Sequence, residues 1–128
     1  MQRRTYQKFY EMDIWKEAFQ LQKEIFNLTG KFSKTELYGL TFQLYNSSNS
    51  VVANIAESHG RYYYADKIRV LYTVRGEIEE TQSHLMVAES RLYISQNDSE
   101  CLIQRYESLK VRINNYISDF RERKDKEI

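Results

Sequence analysis

The chain has 128 residues, with 19 Lys plus Arg against 18 Asp plus Glu, four glycines, one cysteine and no proline. A chain of this length holds one hydrophobic core, and the balanced charge excludes a polybasic coat for nucleic acid and an acidic tail. Cys101 alone excludes an intrachain disulfide framework and a multi-cysteine metal site, and so few turn-forming residues leave little punctuation for a sheet.

Glu11, Asp13, Lys16 and Glu17 interrupt the apolar run that a signal peptide needs, so a cytoplasmic protein is expected. From Ile14 onward, Ala18, Leu21, Ile25, Leu28 and Phe32 recur at steps of four and three, which keeps side chains on one face of a helix. Gly30 stands where a left-handed C-cap would end that helix, and Ser33-Lys34-Thr35-Glu36 reads as a capping box opening the next. The second stripe is Leu37, Leu40, Leu44, Val51 and Ile55, with Ser48 in the vacant step, and Gly60 can close it. Asp66 is the expected cap of a third helix, whose stripe runs Leu71, Val74, Ile78, Thr81, Leu85, Ala88, Leu92. Ser95 to Asp98 supplies acceptors to open a fourth, with Leu102, Tyr106, Leu109, Ile113, Tyr116 and Phe120 on one face. The spacing predicts helices near 12–29, 35–59, 65–92 and 98–122. Short connections favour an all-α, antiparallel up-down-up-down four-helix bundle, one domain over 1–128 with short flexible tails.

The second helix differs from the others. Leu37 to Ala56 carries no charge, yet its amides and hydroxyls (Gln43, Asn46, Asn49, Asn54 and four serines or threonines) make it no membrane span. Phe42, Tyr45, Asn49, Val52 and Ala56 lie off the core stripe, so a second buried face is expected, with another copy of the chain as partner. Pairing about a loop centred on Tyr62 would set Gly76 opposite Ser47 and Ser48 in a close helix crossing.

Chemistry is sparse. His59 and His84 lack a second ligand at metal spacing, and Glu80 with His84 reads as a helix-surface pair. Cys101 has no histidine partner and reads as a half-buried structural thiol, while scattered glycines cannot cradle phosphate. No cofactor and no enzymatic activity are expected; a bundle enzyme with a buried metal is the remote third reading. Nucleic acid is the stronger candidate. Arg61, Tyr62, Tyr63, Tyr64, Lys67 and Arg69 combine phosphate-pairing cations with rings that stack on unpaired bases, with Arg3, Arg4 and Lys8 as a second patch. Arg121, Arg123, Lys124 and Lys126 form a third. Against this, acidic residues interleave the tail, and tyrosine is equally an interface residue.

The runs Asp13-Ile14-Trp15-Lys16-Glu17-Ala18, Tyr38-Gly39-Leu40-Thr41-Phe42-Gln43-Leu44, Ser50-Val51-Val52-Ala53-Asn54-Ile55-Ala56-Glu57, Gly60-Arg61 and Val74-Arg75-Gly76-Glu77-Ile78-Glu79-Glu80 together resemble the 23S rRNA intervening-sequence proteins. These are small four-helix-bundle proteins also labelled S23 ribosomal protein, and the resemblance covers roughly residues 9–120. It implies a ring-like homopentamer and an RNA- or ribonucleoprotein-associated accessory role; the alternative is an adaptor ring that docks a protein without touching nucleic acid. Many relatives carry two arginines where Tyr45 and Asn46 stand here, then two alanines at Ser47 and Ser48 and a glycine at Ser58. If the paired arginines make a basic surface, that surface is missing. Arg61 and Arg75 match the family pattern; Arg75 is expected to contact phosphate or to pair with Glu57 or another acid of a second subunit, and Asn54 and Glu57 to fix packing through buried hydrogen bonds.

Overall fold

The computed structural model describes residues 7–127, which form four helices: α1 (Asp13–Thr29), α2 (Leu40–Gly60), α3 (Tyr64–Ser90) and α4 (Gln96–Lys126). Short 3₁₀ turns at Phe9–Glu11 and Lys34–Glu36 precede α1 and α2, and there is no strand among the described residues. Each helix packs on its neighbour in sequence and α4 closes on α1, giving the up-down-up-down bundle. The α1–α2 and α3–α4 connections share one end. The α2–α3 connection, the start of α1 and the end of α4 share the other.

The core follows the periodic stripes. Ile14, Ala18, Leu21 and Ile25 of α1 meet Leu44, Val51 and Ile55 of α2, Leu71, Val74, Ile78 and Leu85 of α3, and Tyr106, Leu109 and Ile113 of α4, all fully buried. Stripe ends depart from the pattern: Leu37 is half exposed and Leu92 is 90% exposed. Most polar residues that enter the interior have partners. Thr81 Oγ1 donates to Ser47 Oγ at 2.8 Å, and Gln82 Nε2 donates to the Ile103 carbonyl at 3.2 Å and to Glu107 at 3.1 Å. Two others have none: the Ser99 Oγ and Tyr106 hydroxyl are buried without a hydrogen-bond partner.

The helix ends correct several sequence expectations. Gly30 is right-handed (φ −61°) rather than a left-handed cap. Ser33 caps only the 3₁₀ turn, accepting from Thr35 N at 3.3 Å, so α2 starts later, at Leu40. Glu36 reaches forward instead of back: it accepts from Leu40 N at 3.4 Å, Arg91 at 2.8 Å and the Tyr93 hydroxyl at 3.0 Å. A carboxylate there suits the positive end of α2 and ties both connections of that end together. Burial pushes the Glu36 carboxyl up, but Tyr93, the Leu40 amide and Arg91 together hold it below the ordinary carboxylate value.

Helix α3 begins after Tyr63, leaving Asp66 inside its first turn, paired with Arg69 at 2.7 Å rather than capping. It ends at Ser90 in a Schellman motif. Tyr93 N donates to Ala88 O at 3.0 Å and Leu92 N to Glu89 O at 2.9 Å, with Leu92 left-handed at φ 65°. Glycine usually holds this position, so the stop has no sequence signal. The turn delivers Tyr93 onto Phe32, ring centroids 5.0 Å apart, and onto Glu36. Ser95 does open α4, accepting from Asp98 N at 3.1 Å. The C-terminal tail is helical to Lys126 rather than loose.

The α2–α3 register also differs. Thr81, not Gly76, opposes Ser47. Side chains lean toward their own helix N-terminus, so across an antiparallel pair Thr81 leans toward the connecting turn and Ser47 leans away from it. That lean moves the contact along α3, and Gly76 lies on another face, with nothing within 4 Å of where a Cβ would stand.

Candidate nucleic-acid and self-association surfaces

The α2–α3 corner combines the expected residues, but most of its cations are committed. Arg61 pairs with Glu57 at 2.7 Å, one helical turn back, and Arg69 pairs with Asp66. Lys67 folds over the end of α2 and donates to the carbonyls of Ser58 at 3.3 Å and His59 at 2.8 Å. Both carbonyls lie in the last turn of α2, the Ser58 one also accepting from Arg61 N at 3.3 Å, and a lysine there complements the negative end of the helix. Burial lowers the Lys67 pKa. Lys67 is thus first a structural cap. Tyr62 and Tyr63 are different: Tyr62 is 85% exposed, and the two rings meet edge to face at 4.9 Å. Tyr64 instead packs on Phe120 of α4 at 5.6 Å.

That last contact brings together patches that are far apart in sequence. Lys67 Nζ lies 5.9 Å from the Phe120 ring, Arg121 donates to the Tyr72 hydroxyl, and Arg123 pairs with Asp119 at 3.0 Å while its hydrogen bond to the Tyr64 oxygen raises its pKa. The exposed last turns of α4, with Lys124 and Lys126, are therefore at the same end of the bundle as Tyr62 and Tyr63. His59 Nε2 meets the Gln7 carbonyl at 2.7 Å, which sets exposed Lys8 at the same end. Arg3 and Arg4 of the second basic patch lie outside the described residues.

On the remaining faces, cross-helix ion pairs separate the seams. Arg105 of α4 reaches Glu24 at 2.6 Å and Glu17 at 3.3 Å on α1, and Arg112 reaches Asp13 at 3.0 Å. Lys110 of α4 reaches Glu79 of α3 at 2.6 Å. No salt bridge joins α1 to α2 among the described residues. Their seam carries exposed rings instead: Phe26 (58% exposed), Phe42 (52%) and Tyr45, the last 6.0 Å from Phe26, with Phe19 beyond. Asn49 is exposed and Val52 half-buried on the same side of α2. The charge-free face expected from the sequence is therefore a real surface, and α1 widens it. Phe19 and Phe26, seven apart and off the core stripe, were the overlooked signal.

Several individual expectations change. Ser48 is wholly buried within its own chain, its hydroxyl donating to Tyr45 O at 3.1 Å, so it belongs to internal packing. Glu57 is exposed and paired with Arg61 rather than buried. Asn54 is half-buried and donates to the Ser50 carbonyl of its own helix at 2.9 Å. Arg75 stacks over Tyr72 at 5.1 Å and donates to Asn114 of α4 at 3.1 Å. With Gly76, Glu79 and Lys110 they line a groove of about 620 Å³ on the α3–α4 seam, which sequence reading missed because Lys110 and Asn114 come from a distant segment. Cys101 is exposed rather than half-buried.

No group of three or more His, Cys, Asp or Glu among the described residues is arranged to hold a metal ion, and His84 meets only Glu80 at 3.4 Å. No helix among them is long and apolar enough to cross a membrane. No curated protein matches the chain. The family model described as 23S rRNA-intervening sequence protein matches residues 10–115, spanning α1, α2, α3 and most of α4. The chain belongs to the 23S rRNA-intervening sequence protein family.

Proposed function

We propose that the protein is a non-enzymatic, self-associating accessory factor that meets RNA at one end of its bundle. The observation that carries self-association is the α1–α2 seam, where Phe26, Phe42 and Tyr45 stay exposed with no charge from Leu37 to Ala56. A contiguous aromatic surface of this kind is an interaction site, and the identical chain is the most economical partner. Five copies is the expected count. The RNA reading is supported by the convergence of Tyr62 and Tyr63 with Lys8, Arg121, Lys124 and Lys126 at one end, since stacking rings among backbone-pairing cations suit unpaired RNA.

A second reading, an adaptor that docks a protein, is favoured by the pairing of Arg61 with Glu57 and Arg69 with Asp66, which removes two cations from the corner. A native mass spectrum of protein purified at low salt without nuclease separates the two. An oligomer carrying heterogeneous mass that ribonuclease removes supports the RNA reading. A clean oligomer refutes it in favour of the adaptor, and a clean monomer refutes self-association.

A further inference from the structure

Along the α3–α4 groove, three side-chain contacts bridge the helices in turn. Arg121 donates to the Tyr72 hydroxyl, Arg75 donates to the Asn114 side-chain oxygen at 3.1 Å, and Lys110 pairs with Glu79 at 2.6 Å. Gly76 lies between the second and third of these, in the lining of the groove of about 620 Å³. Glycine in mid-helix is less stable than alanine, and a Cβ at Gly76 would meet nothing within 4 Å, so packing within the chain does not require it. What it provides is bare backbone open to a molecule from outside.

Charge is divided along the groove. Lys110 is answered by two carboxylates, Glu79 and Glu107, the second at 3.2 Å. Arg75 and Arg121 pair with no carboxylate among the described residues. One tyrosine holds them both: Arg75 stacks over the Tyr72 ring at 5.1 Å, and Arg121 meets its hydroxyl. The Tyr72 end is therefore cationic, and the Glu79 end is rich in hydrogen-bond acceptors.

We infer that this groove binds a ribose phosphate, with the phosphate between Arg75 and Arg121 and the sugar over Gly76. Guanidinium groups offer paired N–H donors to phosphate oxygens, and two of them match the charge of a phosphate monoester. The Asn114 oxygen is taken by Arg75, which leaves its NH2 group to donate to the same anion. Past Gly76, the Glu79 carboxylate accepts from sugar hydroxyls, which inorganic phosphate lacks. The volume falls within the ~300–1,000 Å³ of small-molecule sites. The groove runs along the side of the bundle, and the inference does not rest on RNA contact at Tyr62 and Tyr63.

Isothermal titration of the full chain at low salt tests this with ribose 5-phosphate, inorganic phosphate and ribose. Ribose 5-phosphate should bind at least tenfold tighter than inorganic phosphate, and ribose should give no heat. Arg75→Ala and Arg121→Ala should each weaken binding at least tenfold, whereas Arg112→Ala, whose guanidinium turns toward Asp13 of α1, should bind as wild type. Gly76→Leu should abolish binding while keeping wild-type far-UV circular dichroism and an undiminished Tm. No binding of ribose 5-phosphate, equal affinity for inorganic phosphate, or binding that survives Gly76→Leu overturns the inference. A 5′-phosphorylated oligoribonucleotide that displaces ribose 5-phosphate makes an RNA end the occupant, and one that does not makes it a free phosphosugar or nucleotide; the site stands in both cases.

Discussion

Leu92 offers the sharpest test of how this bundle stops a helix. It holds the left-handed position of the Schellman motif at φ 65°, and its side chain is 90% exposed. A Cβ in that conformation crowds the following carbonyl at a cost of about 1–2 kcal/mol, whereas glycine carries no such penalty. Glycine surrenders more backbone entropy on folding, about 0.5–1 kcal/mol, so Leu92→Gly should stabilise the fold by about 0.5–1 kcal/mol net. Because the side chain is so exposed, little buried area is lost. The expected shift is a rise of about 2–5 °C in Tm. Urea and thermal unfolding at one fixed protein concentration measure it, since oligomerisation makes both midpoints concentration-dependent. Leu92→Ala is the control: it deletes the same exposed surface but keeps Cβ, and should gain nothing. Equal stability of the glycine and alanine variants would refute the backbone argument.

The buried Tyr106 hydroxyl lacks a partner. Tyr106→Phe should therefore raise stability by about 1 kcal/mol in urea unfolding, the desolvation cost of an unanswered polar group; a comparable loss would mean that the hydroxyl is anchored. For Glu36, partners hold the folded pKa below the ordinary value, so its contribution is present at neutral pH and lost as pH falls through that folded pKa. Urea midpoints measured from pH 7 to pH 3 should fall less steeply for Glu36→Gln than for wild type, and parallel curves would contradict this. Lys67→Met should cost about 1–3 kcal/mol by uncapping the end of α2, while Arg69→Ala, removing an exposed i, i+3 pair, should stay within about 0.5 kcal/mol. Ser48→Lys should lower the melting temperature of the chain itself, by burying an unpaired charge, rather than merely split an assembly. Retained wild-type stability in that variant would place Ser48 outside the core.

The sequence makes the interior of the bundle legible and its edges much less so. Steps of three and four locate Ile14 to Ile25 or Leu71 to Leu85 in the core because burial is a collective property of a face. Helix ends depend on single residues, and the decisive ones here carry no usual signal: a leucine takes a glycine's role at 92, and a glutamate at 36 serves two connections instead of a local box. The uncharged face of α2 was readable from composition alone. Its extension onto Phe19 and Phe26 was not, because it needs the register of α1 against α2. Nor was the commitment of Lys67 to the Ser58 and His59 carbonyls, which depends on how the chain turns between Arg61 and Tyr63.

Gln7 lies against His59, and the last turns of α4 lie beside Tyr64, so both limits of the described chain emerge at the end that bears Tyr62 and Tyr63. An affinity tag, fluorophore or fused domain joined directly at Gln7 or Glu127 would hang over those rings. A permutant that links Gln7 to Glu127 and opens the chain between α1 and α2, near Lys31, would move the handle to the far end and leave the tyrosines clear.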